Sequence, residues 1–161
     1  MLSLHVAKAT RLPTRPVDTV EVETQRGIVG DRYHGSRHRQ VSVQSAAALA
    51  EAAELYAARG VAGPSGSLGS LGPEDWRGLT RRNVTVSDGE VPRTPGALIR
   101  VGPVLLEVVR VAAPCKLLDD TIGAGAQEVL RRRAGSICRV LEGGTVRVGD
   151  PVELAAPELG A

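Results

Sequence analysis

Residues 104–118 read VLLEVVRVAAPCKLL, an apolar run that ends in a proline and a cysteine. The first eight residues have the β-branched, apolar composition of a strand. Proline has no amide hydrogen to donate within a sheet, so the strand should end before Pro114 and Cys115 should lie where the chain leaves the sheet. The CKLLDD that follows has the composition to begin a helical turn. The stretch therefore predicts a lone thiol at a strand exit, beside the positive charge of Lys116.

The segments on either side of this stretch predict a mainly β fold. Short runs typical of strands recur at LSLHVAK (2–8), DTVEVET (18–24), QVSVQ (40–44) and RRNVTV (81–86). ALIRVGPVLLEVVRV (97–111) predicts a hairpin that turns at Gly102–Pro103, and SICRVLEGGTVRVGDPVEL (136–154) predicts a second hairpin across Gly143–Gly144. Many short strands with few helices favour an antiparallel β-barrel of the α+β class with a few helical insertions.

Two helices and one long loop complete the predicted organisation. SAAALAEAAELYAARG (45–60) predicts a helix with Ser45 as its N-cap and Gly60 at its end. GAQEVLRRR (125–133) predicts a short basic helix. Residues 60–72 are rich in Gly and Ser and predict a flexible surface loop, because no G-K-[ST] ending follows to make a phosphate loop. At 161 residues we expect one domain, spanning 1–161.

Composition excludes several classes of function. Lys and Arg number 20 against 18 Asp and Glu, a net charge of +2 that is too small to indicate a nucleic-acid binder. The chain has one Trp, two Tyr and no Phe, which leaves few platforms for stacking on single-stranded bases. Neither a signal peptide nor a membrane-spanning run is evident. We expect no nucleic-acid or membrane partner and a cytoplasmic location.

The two cysteines, Cys115 and Cys138, predict different roles. They are too few for a disulfide framework and form no C-x-x-C pair. Cations and helix N-termini favour the reactive thiolate form of cysteine, and Lys116 follows Cys115 directly. Cys138 lies within the strand-like SICRVL, where a buried, inert thiol is expected. Cys115 is therefore the candidate nucleophile or soft-metal ligand, against the alternative that it is a structural residue.

Two basic segments beside predicted strands supply candidate anion-binding groups. The segment GDRYHGSRHRQ (30–40) carries three arginines, and TRRN (80–83) carries two more and an asparagine. Arginine forks suit phosphate and other oxyanions, and amides add directional hydrogen bonds. The alternative is an ordinary solvated surface. His34 and His38 are four residues apart, but the glycines between and around them disfavour a helix, so a zinc site is the weaker interpretation.

Taken together and in order, these motifs resemble the MOSC domain, named after the C-terminal part of molybdenum cofactor sulfurase. The resemblance covers about residues 18–154, through GIVGDRYHGSRHRQVSV, RRNVTV, LIRVGPVLLEVVRVAAPCKLL and GSICRVLEGGTVRVGDPVEL. It implies a β-barrel, a molybdenum cofactor, and an exposed cysteine in a P-C motif at Cys115, which would carry sulfur or ligate molybdenum. The cofactor-binding residues it points to are Asp31, Arg32, Arg39, Gln40, Arg81 and Asn83. The adjacent basic residues Arg82 and Lys116 are further candidates because of their charge and position.

The resemblance leaves more than one activity open. The chain would carry sulfane sulfur on Cys115 for an acceptor, or bind the cofactor with Cys115 as thiolate ligand. A variant is a small molybdenum-dependent reductase of N-hydroxylated compounds, and a further alternative is a non-catalytic interaction module. The first activity needs a sulfur donor such as a pyridoxal-phosphate-dependent cysteine desulfurase, and the reductase needs an electron-transfer partner. We do not expect this short chain to bind pyridoxal phosphate itself.

Overall fold

A computed structural model describes residues 1–59, 72–87 and 89–155 of the chain. Within these ranges the strands are β1 (Ser3–Val6), β2 (Arg15–Val17), β3 (Thr19–Glu23), β4 (Gly27–Ile28), β5 (Val41–Ser45), β6 (Val84–Val86), β7 (Leu98–Val101), β8 (Val104–Val111), β9 (Ser136–Glu142), β10 (Gly144–Arg147) and β11 (Val152–Ala155). The helices are α1 (Ala46–Ala57), α2 (Pro73–Leu79), α3 (Lys116–Thr121) and α4 (Ala126–Val129). The predicted mainly β fold is confirmed.

The strands form two sheets rather than one closed barrel. The large sheet has eight strands in the order β11-β7-β8-β9-β5-β6-β1-β2, and the small sheet has three in the order β10-β3-β4. Neighbouring strands are antiparallel except for β5 and β6, which run parallel. The antiparallel prediction is thus confirmed for nearly every pair, whereas the ladders of the described strands do not close into the expected ring.

One of the two predicted hairpins forms and the other does not. β7 and β8 pair across Gly102–Pro103 as expected, with Val101 opposite Val104. The predicted hairpin across Gly143–Gly144 is wrong, because β9 pairs with β5 and β8 while β10 pairs with β3 in the small sheet. The chain crosses between sheets at Gly143, whose amide donates to Oγ1 of Thr24 at 2.9 Å. A Cβ at Gly143 would collide with the Val22 carbonyl, so glycine permits this close approach.

Apolar side chains of both sheets pack into one core between them. Along β3 the exposed and buried residues alternate, so Val20 and Val22 point inward, and the same alternation runs along the first six residues of β8. Val43, Ile99 and Val140 are fully buried in this core. The core fixes the strand ends from which the loops of the candidate site depart.

The helices form a second apolar cluster that supports the start of α3. Ser45 caps α1 as predicted, its Oγ accepting from the Ala48 amide at 3.4 Å. The ring of Trp76 is fully buried in α2 and meets Tyr56 of α1 edge to face, with centroids 5.5 Å apart. Leu118 of α3 is buried in the same cluster. Burial of a leucine contributes about 1.5–3 kcal/mol, which anchors the turn that begins at the candidate thiol.

The remaining predicted elements have mixed outcomes. Residues 60–71 of the predicted flexible loop and the predicted helix end at Gly60 lie outside the described residues. The predicted basic helix is shorter than expected, because α4 ends at Val129 and the following arginines lie in a turn where Arg132 adopts a φ of 67°. In the described part of the chain, no helix has the length and apolar character needed to cross a membrane.

Candidate functional site

The structure places Cys115 at a strand exit, as the sequence predicted. β8 ends at Val111, and Cys115 is an exposed residue that directly precedes α3. Its carbonyl accepts from the Leu118 amide at 2.9 Å, which forms the first turn of that helix. Cys138 lies at the opposite extreme, fully buried in β9, and burial raises the pKa of its thiol to about 12. Only the Cys115 thiol is therefore exposed to a soluble reactant.

The loop that carries the first arginines is held in shape by a buried carboxylate and a buried amide. Oδ1 of Asp31 accepts from the Ala7 amide at 3.1 Å and Oδ2 accepts from the Tyr33 amide at 3.3 Å. The Gln40 side chain donates to the carbonyls of Gln25 and Ser36 and accepts from the Val140 amide. All of these bonds join backbone to side chain, so they fix the loop on the end of the sheet rather than reach toward solvent.

Within this loop, two guanidinium groups contact the ring of Tyr33. The Cζ atom of Arg32 is 4.6 Å from the centre of its ring, and that of Arg39 is 4.3 Å away. Each contact is a cation–π interaction, typically worth about 0.5–1 kcal/mol when partly exposed. The ring holds the two arginines in fixed positions that their mutual repulsion would otherwise disfavour. Sequence reasoning missed this role of Tyr33, although the adjacent Arg32 was an available signal.

Arg39 has the guanidinium with the most unused hydrogen-bonding capacity in the site. Its Nε is buried without a partner, and no carboxylate among the described residues forms an ion pair with it. Burial lowers the pKa of Arg39, Tyr33 opposes that shift, and Arg32 and Arg110 lower it further. Cys115 is close enough to raise it. Arg110, which sequence reasoning also missed, thus adds positive charge to the same region.

Arg82 is a buried arginine without an acidic partner among the described residues. Its Nε donates to the Ala134 carbonyl at 3.0 Å and its Nη2 lies 3.5 Å from the Ala113 carbonyl. Burial is the main cause that lowers its pKa to about 10, Arg39 adds to the lowering, and Cys115 opposes it. The side chain remains charged at neutral pH. A buried charge that contacts only neutral carbonyls raises the free energy of the folded protein. Such an arrangement is more often found at functional sites than elsewhere.

Arg81 and Asn83 are committed to contacts within the protein. Nη1 and Nη2 of Arg81 donate to the carbonyls of Leu12 and Thr10 at 2.6 and 2.7 Å, and its backbone has a φ of 66°. Its own carbonyl accepts from Nη2 of Arg32 at 2.8 Å. The Asn83 amide accepts from the amide and hydroxyl of Ser42 and donates to the His5 carbonyl, which ties β1, β5 and β6 together.

The structure therefore brings together most of the residues that the sequence singled out. Burial is the first cause that lowers the pKa of Arg81, and Arg32, Tyr33, Cys115 and Asp31 all act on that pKa. The region that these residues share is named here the arginine pocket, and its members are Asp31, Arg32, Tyr33, Arg39, Arg81, Arg82 and Cys115. Lys116 is exposed at the first position of α3. The amides of Gln40 and Asn83 face inward and support the pocket from behind.

The histidines of the first basic loop do not gather into a metal site. Nε2 of His34 lies 2.9 Å from Oε2 of Glu23 in an exposed contact, and His38 is exposed. Across the described ranges, no group of three His, Cys, Asp or Glu side chains converges to hold a metal ion. A metal at this site would have to bring most of its own ligands and take a single cysteine from the protein.

Fold and site define a mainly β domain that presents one exposed thiol beside a cluster of buried arginines. A family model of the MOSC domain matches residues 30–153, most of the sequence. The chain belongs to the MOSC domain family, whose members are generally associated with the molybdenum cofactor. A search of curated proteins found no match to the sequence.

Solved structures agree with this fold. The chain is similar to the YuaD protein from Bacillus subtilis at 18% identity and a TM-score of 0.71, covering 93% of this chain and 91% of that one. YiiM from Geobacillus stearothermophilus gives 18% identity and a TM-score of 0.69, with coverage of 99% and 76%. YiiM from Escherichia coli gives 20% identity and a TM-score of 0.58, with coverage of 97% and 70%. At these identities the likeness shows the fold.

The residues of the arginine pocket fit the chemistry of a molybdenum cofactor. The cofactor carries a phosphate and a metal held by soft sulfur atoms. The unpartnered Nε of Arg39 and the buried charge of Arg82 are suited to the phosphate. A cysteine thiolate is a soft ligand that suits the metal end. The residues fit the cofactor in two respects. They offer hydrogen-bond donors for a phosphate and a thiol for the metal. Few acids compete for those donors, because Asp31 is the one acidic member of the pocket and it already pairs with Arg32 at 3.2 Å.

Proposed function

We propose that this protein binds the molybdenum cofactor in the arginine pocket. The observation that carries the proposal is that Arg39, Arg81 and Arg82 are wholly or partly buried, without acidic partners in the described chain, around one exposed thiol. A protein pays for buried unpaired charge with stability, and an anionic ligand offsets that cost. The pocket is thus built for an anion with a soft, thiol-accepting end.

Each residue of the pocket has a distinct part in this proposal. Arg39 and Arg82 would hold the phosphate, because their guanidiniums retain donors that no carboxylate occupies. Tyr33 keeps Arg39 in place through its ring. Arg81 is a positioning residue that fastens the loop between β1 and β2 and supplies the carbonyl that orients Arg32. Lys116 adds exposed positive charge next to the thiol.

Asp31, Gln40 and Asn83 would act from behind the pocket rather than on the ligand. Their polar atoms already bond to the backbone or to side chains of the protein. When bound, the cofactor supplies a redox-active metal with its own sulfur ligands. The protein residues then bind, orient and shield it, and Cys115 contributes one thiolate.

Carriage of sulfane sulfur on Cys115 is a second candidate, favoured by the exposure of this thiol at the strand exit. The Cys115 thiolate would attack the terminal sulfur of a donor persulfide, form a Cys115 persulfide and release the donor as its thiolate. An acceptor nucleophile would then take the terminal sulfur and return Cys115 to the thiolate. The two steps conserve electrons, so they need no external oxidant. The donor would be a separate protein, such as a pyridoxal-phosphate-dependent cysteine desulfurase.

The decisive experiment is purification of the native protein from a host that makes the cofactor and from a matched host that does not. Molybdenum is measured by mass spectrometry of the metal, pterin by fluorescence of its oxidised form, and Cys115 modification by peptide mass. We expect pterin and molybdenum together in the first preparation alone. An added sulfur atom on Cys115 without pterin would support the sulfur-carrier candidate instead. Neither pterin, molybdenum nor added sulfur in the first preparation would contradict both.

If the cofactor is bound, one further assay distinguishes a carrier from a catalyst. The loaded protein is reduced chemically and offered an N-hydroxylated compound. Turnover would indicate the reductase variant, which then requires an electron-transfer partner in the cell. Absence of turnover with transfer of intact cofactor to an apo-molybdoenzyme would indicate a binding and delivery role.

A further inference from the structure

Two neighbouring cavities lie apart from the arginine pocket, and the smaller one is lined by the residues that Arg82 contacts. One cavity of about 480 Å³ and one of about 320 Å³ share Arg93, Arg132 and Gly135 in their walls. Volumes of this order suit small-molecule ligands. Neither wall includes Cys115 or any of the arginines assigned above to the molybdenum cofactor. The two cavities are therefore neighbours, and both lie outside the arginine pocket.

The smaller cavity has the chemistry of a site for an organic anion. Three arginines line it, namely Arg93, Arg131 and Arg132, and its wall residues include no carboxylate. Its remaining walls are largely apolar, formed by Val111, Ala112, Ala113, Pro114 and Ala134. The larger cavity differs, because Glu51 and Glu90 line it and pair with Arg133 and Arg93 at 3.1 and 3.5 Å. An anion would thus be drawn to the smaller cavity.

The backbone at the junction of the two cavities is strained. Arg132 has a φ of 67°, a conformation that is costly for a residue with a side chain. Its carbonyl accepts from Nη1 of Arg93 at 3.3 Å, so the strained residue also orients its neighbour. A glycine would relieve the strain but would remove a charge from the wall of the cavity. The strained backbone of Arg132, retained where its side chain lines the cavity, agrees with a binding role for that side chain.

The smaller cavity adjoins the arginine pocket, because two residues of its wall contact Arg82. Ala113 and Ala134 line the cavity, and their carbonyls are the two contacts of the Arg82 guanidinium. Pro114, which also lines the cavity, is bonded directly to Cys115. A ligand in the cavity would therefore contact residues that also contact Arg82, and it would contact the residue next to Cys115.

We propose that the cavity lined by Arg93, Arg131 and Arg132 is a second ligand site, which takes a small organic phosphate. The three guanidiniums favour a dianion over a single negative charge, and the apolar wall from Val111 to Pro114 takes the organic part of the ligand. This site is separate from the proposed cofactor site and does not depend on it.

The test uses the full-length protein labelled with ¹⁵N and titrated with phenyl phosphate, while amide signals are followed by NMR. Benzoate and inorganic phosphate are the comparison ligands. Benzoate has an apolar ring but only one negative charge, and inorganic phosphate has no apolar part. We expect phenyl phosphate to bind most tightly and to shift the signals of Val111, Ala112, Ala134 and Gly135. The principal variant is Arg132→Gly, which removes the charge while keeping a backbone that accepts positive φ.

Two controls separate charge from backbone effects. Gln25→Gly makes the same backbone change at another residue with positive φ, 60°, and Arg139→Gln removes an arginine from the outer face of β9. We expect Arg132→Gly to weaken phenyl phosphate binding about tenfold or more, since a charged hydrogen-bond donor is lost, and both controls to bind like the parent. Affinities are taken from the signals of Val111, Ala112, Ala134 and Gly135, which report on this cavity. Equal affinities there for Arg132→Gly and the parent, equal affinities there for inorganic and phenyl phosphate, or shifts confined to Tyr33 and Arg39 would overturn the proposal.

Discussion

Two regions of this molecule treat the same residue types in opposite ways. On the outer face of the sheet formed by β7, β8 and β9, Arg100 and Arg139 are paired with carboxylates, and the cysteine of β9 is buried. Arg139 meets Glu107 at 2.9 Å and Arg100 meets Glu142 at 3.4 Å, while Cys138 is fully buried beneath them. In the arginine pocket Arg81 and Arg82 are buried and Arg39 is half-buried, all three without acidic partners in the described chain, and the cysteine is exposed.

The contrast separates a region with the ordinary arrangement of a stable domain from the region that we propose for binding. Exposed ion pairs and a buried thiol are the ordinary arrangement of a folded domain, because charged groups keep their solvent and cysteine is among the residues most often buried. The reverse arrangement costs free energy, because the charge of Arg82 is desolvated with only carbonyl contacts to compensate. This unfavourable free energy beside an exposed thiol supports the proposal that the region binds an anionic ligand.

The largest expected effect is a difference in reactivity between the two thiols. Iodoacetamide near neutral pH, followed by peptide mapping, should label Cys115 in the folded protein and leave Cys138 unmodified. At about pH 8 only ~10⁻⁴ of a thiol with a pKa of about 12 is ionised, and burial also blocks access. Denaturant should make the two rates similar. Faster labelling of Cys138 than of Cys115 in the folded protein would reverse the comparison.

The second effect is a loss of stability at alkaline pH that depends on Cys138. Its folded pKa is raised above the unfolded value of about 8.5, so its contribution is fully present below that value and is lost as pH rises toward about 12. In this window the unfolded state releases a proton that the folded state retains. The free energy of unfolding should fall by up to about 1.4 kcal/mol per pH unit.

Urea unfolding between pH 8 and pH 10 measures this loss, in a Cys115→Ser background that removes the other thiol. The matched variant is Cys138→Ala, which should be less stable at neutral pH but should show a flatter dependence on pH. Parallel curves for the two proteins would mean that Cys138 does not ionise on unfolding as its burial implies.

The third effect is a change in phosphate affinity when the Tyr33 ring is removed from the arginine pocket. Inorganic phosphate is titrated into the protein while the Nε–H signal of Arg39 is followed by NMR. Tyr33→Phe keeps a ring in contact with Arg32 and Arg39 and should bind like the parent. Tyr33→Leu loses the cation–π contacts and should bind roughly twofold to fivefold more weakly, the equivalent of 0.5–1 kcal/mol. Equal weakening by both variants would assign the effect to the hydroxyl instead.

The smallest effect on stability is expected for the paired arginines of the sheet formed by β7, β8 and β9. Arg139→Met should change the free energy of unfolding by less than about 1 kcal/mol, because exposed ion pairs contribute little. It should leave phosphate binding at Arg39 unchanged. A loss of several kcal/mol in urea unfolding would show that the Arg139–Glu107 pair stabilises the sheet more than its exposure suggests.

The sequence predicted those parts of the structure that depend on local chemistry. Pro114 predicted that the strand would end before it, and β8 ends at Val111. Ser45 begins a helix because its hydroxyl caps the first turn. Both features could be predicted from short segments. The exposure of Cys115 follows from the same local logic. The Gly143–Gly144 hairpin failed for the opposite reason, since the pairing of β10 with β3 joins residues more than a hundred positions apart.

The candidate site shows the same division. The arginines were found because their residue type and spacing are visible in the sequence. The roles of Gln40 and Asn83 were not, because an amide that bonds across three strands cannot be told from one that faces a ligand without the fold. Tyr33 was overlooked because its importance lies in two stacked contacts, one of which joins it to an arginine six residues away.

The central claim is that buried arginines and an exposed thiol form one cofactor site, and cofactor content tests it most directly. Pterin and molybdenum per protein chain are measured for the parent, Arg39→Met, Cys115→Ser and the control Arg139→Met, all from a cofactor-producing host. We expect Arg39→Met to lose most of both, since about 1.5–3 kcal/mol of binding is removed, and Cys115→Ser to retain more pterin than Arg39→Met does. Arg139→Met should match the parent. A parent without pterin, or an Arg39→Met variant that holds as much as Arg139→Met, would contradict the account.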